Sequence, residues 1–376
     1  MSVAFCAYPW DLIDDPDAAS RVRAAGGDGV AIAAAYHSVR AATPLHPRHR
    51  IVDARSAALY LPVREGAWGA LRPDADTPWV GPDAFARAAR VARAAGLRVE
   101  AWIVLTHSTS VGTRNPASRV VNAFGEAYPY ALCPARAEVR EYAAALVAET
   151  AASADLDGVM LEACGPMGVG HLGHHEKTAG ADWSGEQEAL LSICFCTACA
   201  ALLAEEGEDP DALRAEVRAR VDADGGLAGL DAVLRVRGRA RRQLLDACVA
   251  AARTAGVERV VVHAQADPWA TGPFAALLDD LAHAGPVDGV VVLDAVAHDA
   301  DAMRALRDRL RGTRVGGYLW ALPPATPASI RAGWPDAVRG LDDTYVYHLG
   351  LIGRERLDAV GDALRAAAAP AWSRPA

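Results

Sequence analysis

Apolar and polar positions along the chain fall into short apolar runs separated by longer Ala-rich segments of helical period. Runs at residues 3–9, 29–36, 98–105, 157–163, 259–264, 289–295, 314–321 and 344–351 are short, rich in β-branched and aromatic residues, and bounded by Gly, Asp or Pro, which predicts strands. The segments between them repeat apolar residues three and four apart. The segment 82–95 opens on Gly81-Pro82-Asp83, places Phe85, Ala88, Ala89 and Ala92 on one face and stops at Gly96. The segment 134–152 follows Pro134 and buries Val139, Tyr142 and Leu146 in the same way, and a last helix is expected over about 354–369. Eight strands alternating with helices predict an α/β fold, a closed (β/α)8 TIM barrel.

A plain barrel takes about 250 residues, so a chain of 376 leaves room for insertions. They fall after strands 2, 3 and 4 (residues 37–80, 106–133 and 164–235), all in βα loops and therefore on the active face. One barrel domain over 1–370 is expected, with a charged helical cap over about 200–238 and a flexible tail at 371–376.

Composition then narrows the class. A net charge of −9 with scattered basic residues gives no footprint for nucleic acid. No apolar run approaches the ~20 residues that span a bilayer, and no leader precedes the first strand, so a soluble cytoplasmic protein without membrane or nucleic-acid partners is expected, and a homo-oligomer is open. Seven cysteines, three of them in Cys194-Phe195-Cys196-Thr197-Ala198-Cys199, suit metal binding better than a disulfide framework. Of the 38 Lys and Arg residues only Lys177 is a lysine, and it lies in the loop His174-His175-Glu176-Lys177, where a compact ammonium of tunable pKa differs from a guanidinium.

The strand ends carry the candidate chemistry. Strand 1 delivers Tyr8 and Trp10, strand 2 Tyr36 and His37, strand 3 His107, strand 4 Glu162, strand 5 His263, Gln265 and Asp267, strand 6 Asp294, strand 7 Trp320 and strand 8 His348. Aromatic rings, imidazoles and carboxylates converging on one mouth suit a polyhydroxylated ligand. Glu162 ends an apolar strand, where an unpartnered carboxylate carries a large desolvation cost, and this marks it for function. Asp294 ends Val-Asp-Gly-Val-Val-Val-Leu-Asp in the same layout. The reading is a glycoside-hydrolase-like enzyme acting on a small glycoside or sugar-like metabolite, with Glu162 as acid and Asp294, or in its place Asp267, as second carboxylate. Substrate contacts are expected from Tyr36, His37, His107, His175, Glu176, Lys177, His263, Gln265, Trp320 and His348. Carboxyls about 5 Å apart imply retention of configuration and about 6.5–9.5 Å inversion. Two other readings stay open: metal-dependent or Lys177-assisted hydrolase or lyase chemistry using the His-rich loop, although no His-x-His or His-Glu-x-x-His spacing is present, and a carbohydrate-binding barrel without catalysis.

Three close cysteines leave a fourth metal ligand to be found among Cys133, Cys164, His171, His174 and His175, whereas Cys6 and Cys248 read as buried small hydrophobes. The run Tyr130-Ala131-Leu132-Cys133-Pro134, the helix with Glu138-Val139-Arg140-Glu141-Tyr142, the strand ending in Glu162 and the Cys-x-Cys-x-x-Cys that follows resemble glycoside hydrolase family 42 β-galactosidases over residues 125–200. The resemblance implies a structural zinc on Cys133, Cys194, Cys196 and Cys199, Glu162 as general acid/base, and no organic cofactor. The chain departs from that family in having Leu161 where the family has Asn, and Gly317-Tyr318-Leu319-Trp320-Ala321 without the strand 7 glutamate nucleophile.

Overall fold

The computed structural model describes residues 2–74, 81–170, 177–275, 278–281, 287–293, 300–310 and 312–369. Eight strands, β1 (Ser2–Ala7), β2 (Gly29–Tyr36), β3 (Arg98–Val104), β4 (Gly158–Glu162), β5 (Val260–Ala264), β6 (Gly289–Val292), β7 (Arg314–Trp320) and β8 (Asp343–Tyr347), pair in parallel with their neighbours in sequence. The pairing of β8 with β1, with Ala4 opposite Tyr345, closes the ring. The expected (β/α)8 barrel is therefore the fold. Nearly every strand residue is buried, as a parallel sheet covered on both faces requires, and this is why the strands are continuous apolar runs without alternation.

Eight helices surround the ring: α1 (Ala18–Ala24), α2 (Ala84–Ala94), α3 (Ala137–Ala151), α4 (Asp231–Thr254), α5 (Leu278–Leu281), α6 (Ala300–Arg309), α7 (Pro327–Arg339) and α8 (Arg354–Ala368). In α2 the face of Phe85, Ala88, Ala89 and Ala92 is buried, and in α3 that of Val139, Tyr142 and Leu146. None of the helices described is long and apolar enough to cross a membrane.

Between β4 and α4 the helices Gly185–Leu191, Thr197–Glu205 and Pro210–Asp222 form a small second core around Leu191, Phe195, Leu213 and Val217. Val233 and Val236 of α4 belong to that core, while Leu244, Leu245 and Cys248 of the same helix belong to the barrel's. One uninterrupted helix of 24 residues thus serves both. Two antiparallel hairpins were not expected from the sequence, Val39–Ala42 with Ile51–Ala54 and Arg119–Val121 with Ala127–Leu132. Their strands are short and alternate weakly, so pairing rather than pattern defines them.

The lower end of the barrel is sealed by charge. Glu100, 1% exposed, accepts hydrogen bonds from Arg98 (3.1 Å), Arg259 (3.2 Å) and the Tyr345 hydroxyl (2.7 Å). Asp343 accepts from Ser2, from Arg259 (2.7 Å) and from Arg314 (2.8 Å). Burial pushes the Asp343 carboxyl up, but these bonds, led by that from Arg314, outweigh it and hold the group well below the usual carboxylate range. Residues that read as ordinary turn polars in the sequence therefore form a closed ionic plug. Glu100→Ala leaves Arg259 and Tyr345 facing a buried gap, and urea unfolding is expected to report a loss of about 3–5 kcal/mol, with a smaller loss for Glu100→Gln.

Candidate active site

The upper end of the ring opens into a cleft of about 1000 Å³. Its floor is Glu162, the last residue of β4, with Tyr36, Tyr318 and Tyr347 from the ends of β2, β7 and β8. Residues 167–170 and 184–192 from the β4–α4 insertion and residues 265–274 after β5 contribute much of the rest of the wall. The loop after β5 is folded back tightly, with Gln265 N–H donating to Ala275 O (2.8 Å) and Gln265 Nε2 to Phe274 O (2.8 Å).

Glu162 is 4% exposed. Trp102 Nε1, from the neighbouring β3, donates to its Oε2 at 2.7 Å, and His263 Nδ1 of β5 stands 3.7 Å from the same oxygen. Among the described residues no Arg or Lys forms an ion pair with it. Burial raises its pKa to about 8, against the smaller opposing pull of the Trp102 hydrogen bond. At neutral pH the group is a carboxylic acid facing an aromatic cleft, and it can give up a proton. The chain turns sharply just beyond it, with Ala163 at φ +53°.

Tyr347 and Trp320 stack with ring centres 4.5 Å apart and planes 9° apart, and Trp320 keeps 39% of its surface exposed. His37 stacks on both Tyr36 (4.1 Å) and His107 (4.3 Å). The acidic residues among the described lining are Glu162, Glu186, Glu188 and Asp267, with no Arg or Lys.

Tyr36, His37, His107, Glu162, Gln265, Asp267 and Trp320 all line this cleft. Asp267 sits exposed on the rim, its Oδ1 accepting the Trp269 backbone N–H (2.9 Å). His263 is sealed behind Glu162, wholly buried against Phe274. His348 is not a cleft residue: it is wholly buried, 4.3 Å from the Tyr8 ring, with Nδ1 3.6 Å from Asp11 Oδ2. Burial lowers its pKa to about 3, so it is neutral. Tyr347 lines the cleft, whereas the His348 ring, just past the end of β8, packs inward on Tyr8 and Trp102. Tyr8 and Trp10 are likewise buried beneath the site, stacked at 4.6 Å. Lys177 is exposed and is not part of the cleft lining. Asp294, His171, His174, His175 and Glu176 lie outside the described residues. The sequence reading did not name Tyr318, Tyr347, Trp269, Phe274, Glu186 or Glu188. Tyr318 was within reach, since period-two alternation puts it on the same face as Trp320.

A second constellation lies beside the cleft. Cys133, at the end of the hairpin before α3, meets Cys194, Cys196 and Cys199 of the insertion, all four sulfurs lying within 4.8 Å of one another. Cys133 Sγ is 3.5 Å from that of Cys199, 3.7 Å from Cys196 and 3.8 Å from Cys194. The backbone N–H groups of Val121 and Cys196 point at Cys194 Sγ, both at 3.4 Å. This group can hold a metal ion. Cys164 is not part of it and lies buried in the main core, as do Cys6 and Cys248.

The class that the fold defines is a closed (β/α)8 barrel with a cleft at the C-terminal ends of its strands. Neither a family model nor a curated protein sequence matches the chain. Among solved structures it is similar to a β-galactosidase from the psychrophilic Marinomonas ef1 (TM-score 0.56, 12% identity, 97% of this chain and 59% of that one). It is also similar to α-L-fucosidase isoenzyme 2 from Paenibacillus thiaminolyticus (TM-score 0.54, 12% identity, 97% of this chain and 48% of that one). The chain thus spans about half the length of these neighbours, and at such identity the likeness shows the fold.

Proposed function

We propose that the protein is a glycoside-hydrolase-type enzyme acting on a small glycoside or sugar-like metabolite, with Glu162 as its general acid. The observation that carries this reading is a carboxyl group that stays protonated at neutral pH at the floor of an aromatic-walled cleft. Stacked Tyr347 and Trp320 offer a flat apolar face suited to a sugar ring. A described lining with acidic groups and no Arg or Lys favours a neutral or amine-bearing sugar over a uronic acid or sugar phosphate.

Asp294 is the proposed second carboxylate, because β6 stands two strands from β4 around the ring; Asp267, on the rim of the cleft, is the substitute. His37, His107 and Gln265 would bind hydroxyls, with His175 and Glu176 of the loop after β4 as further proposed contacts. The exposure of Lys177 outside the described cleft gives no support to a Schiff-base mechanism. The metal proposed for the four cysteines is zinc. Zinc–thiolate bonds of about 2.3 Å in a tetrahedron set sulfur–sulfur edges of about 3.8 Å, close to the separations found here, and the ion would be structural, pinning the insertion to the hairpin before α3. Seven free cysteines suit the reducing cytoplasm.

The test is a panel of neutral, amino and acidic glycosides followed by NMR, on wild type, Asp294→Asn and Asp267→Asn. Cleavage by wild type with loss in Asp294→Asn is the expected result, and the first-formed anomer fixes retention or inversion. Sugar binding without turnover anywhere in the panel would instead identify a binding barrel.

A further inference from the structure

His263 has no role in the chemistry so far, yet its position is unusual. It is wholly buried on β5, and neither ring nitrogen has a hydrogen-bond partner among the described residues. Buried polar atoms of this kind are rare in native proteins and ask for a reason. The ring is clamped in one plane, stacked on Phe274 at 4.3 Å and 5°, with Tyr318 edge-on at 5.2 Å. Glu162 Oε2 lies 3.7 Å from its Nδ1.

That gap is too long for a hydrogen bond to the neutral acid. Once Glu162 gives up its proton, a full negative charge sits in a wholly buried place where Trp102 Nε1 is the donor already in contact. A carboxylate there needs further donors. A small rotation of either side chain brings Nδ1 to bonding distance.

We propose that His263 is a positioning residue for Glu162, whose Nδ1–H becomes the second donor to the Glu162 carboxylate formed when the acid releases its proton. The imidazole is neutral throughout, since burial lowers its pKa to about 3, so it steadies the anion as a dipole and takes no proton itself. Other titratable groups facing Glu162 are Cys6 of β1, Tyr36 of β2, Tyr318 of β7 and Tyr347 of β8. Burial raises the pKa of each, which keeps them uncharged near pH 8. None of these groups supplies a charge that substitutes for the imidazole N–H.

The proposal rests on the reading of Glu162 as a proton donor, but its test needs no substrate. The carboxyl band of Glu162, assigned by difference infrared spectra against Glu162→Gln, is titrated in the full chain for wild type, His263→Leu and His263→Asn. Removing a donor to the charged form raises a carboxyl pKa. The expected result is a wild-type midpoint near 8, a rise of about one unit in His263→Leu, and partial return in His263→Asn, whose amide N–H can donate. Equal midpoints in all three proteins would overturn the proposal. If the substitutions prevent folding, nitrogen-15 NMR of wild-type His263 decides: the proton must reside on Nδ1 and its resonance must move as Glu162 ionises, and an unprotonated Nδ1 overturns it. A wild-type midpoint in the ordinary carboxylate range with the His263→Leu shift intact would leave this inference standing and remove the functional one.

Discussion

Glu162→Gln is expected to lower turnover of the cleft's substrate by about 10²–10⁴-fold, the usual contribution of a positioned general acid, with substrate binding retained. The amide matches the carboxyl group in shape and still accepts the Trp102 N–H, so the floor of the cleft persists and the proton alone is removed. Steady-state kinetics on the glycoside identified by the panel check this, and full turnover by the variant would end the assignment. In wild type the acid is present below its pKa, so the rate should fall as pH rises through about 8.

The same residue gives a stability signature that needs no substrate. Folding raises the Glu162 pKa from an ordinary value of 4.5 to about 8, so the folded chain binds this proton more tightly than the unfolded one. Its contribution is full below about pH 4.5 and is lost as pH rises through about 8, on the order of 5 kcal/mol in all. Glu162→Gln lacks that loss. Its melting temperature relative to wild type should therefore climb between pH 5 and 9, and parallel curves for the two proteins would show that Glu162 titrates normally.

Cys133→Ser is expected to lower zinc content from one ion per chain towards none and to lower the melting temperature by about 5 °C. Removing one of four thiolates opens a closed site, and here the lost ligand is the one supplied by the opposite loop, so the remaining three no longer join two parts of the molecule. A loss of about 4 kcal/mol shifts the melting point of a domain this large by roughly that amount. Cys164→Ser, at a buried cysteine outside the cluster, should retain the metal. Zinc measurement with calorimetry on both variants checks the pair, and full zinc content in Cys133→Ser would refute the site.

The barrel was legible because strands buried on both faces must be apolar at every position, and eight such runs are hard to produce otherwise. The upper ends of strands 2 and 5 were placed correctly, while those of strands 1, 3, 4, 7 and 8 were drawn one to four residues too long, since residues such as Leu105 and Leu349 continue the apolar run after pairing has stopped. Glu162 was legible for a related reason, as a carboxylate closing an apolar run. His348 misled because it follows the last paired residue of β8, where the strand pattern no longer says which way a side chain turns, and its ring packs inward on Tyr8 and Trp102. The walls formed by Trp269, Phe274, Glu186 and Glu188 were not legible. Their approach to the cleft depends on how two long loops fold back, which is set by contacts distant in sequence. The three clustered cysteines marked a possible metal site, and the resemblance singled out Cys133 as the fourth ligand, since spacing alone does not bring it to Cys194, 61 residues away.

The shared helix Asp231–Thr254 has a consequence for anyone who would remodel the protein. Because its first turns complete the small core of the insertion and its later turns cover the barrel, the insertion is not a detachable module. Trimming it to widen the cleft must stop short of Leu230, and transplanting it onto another barrel requires moving the fourth barrel helix with it. The wall of the cleft and the frame of the barrel have to be varied as one piece.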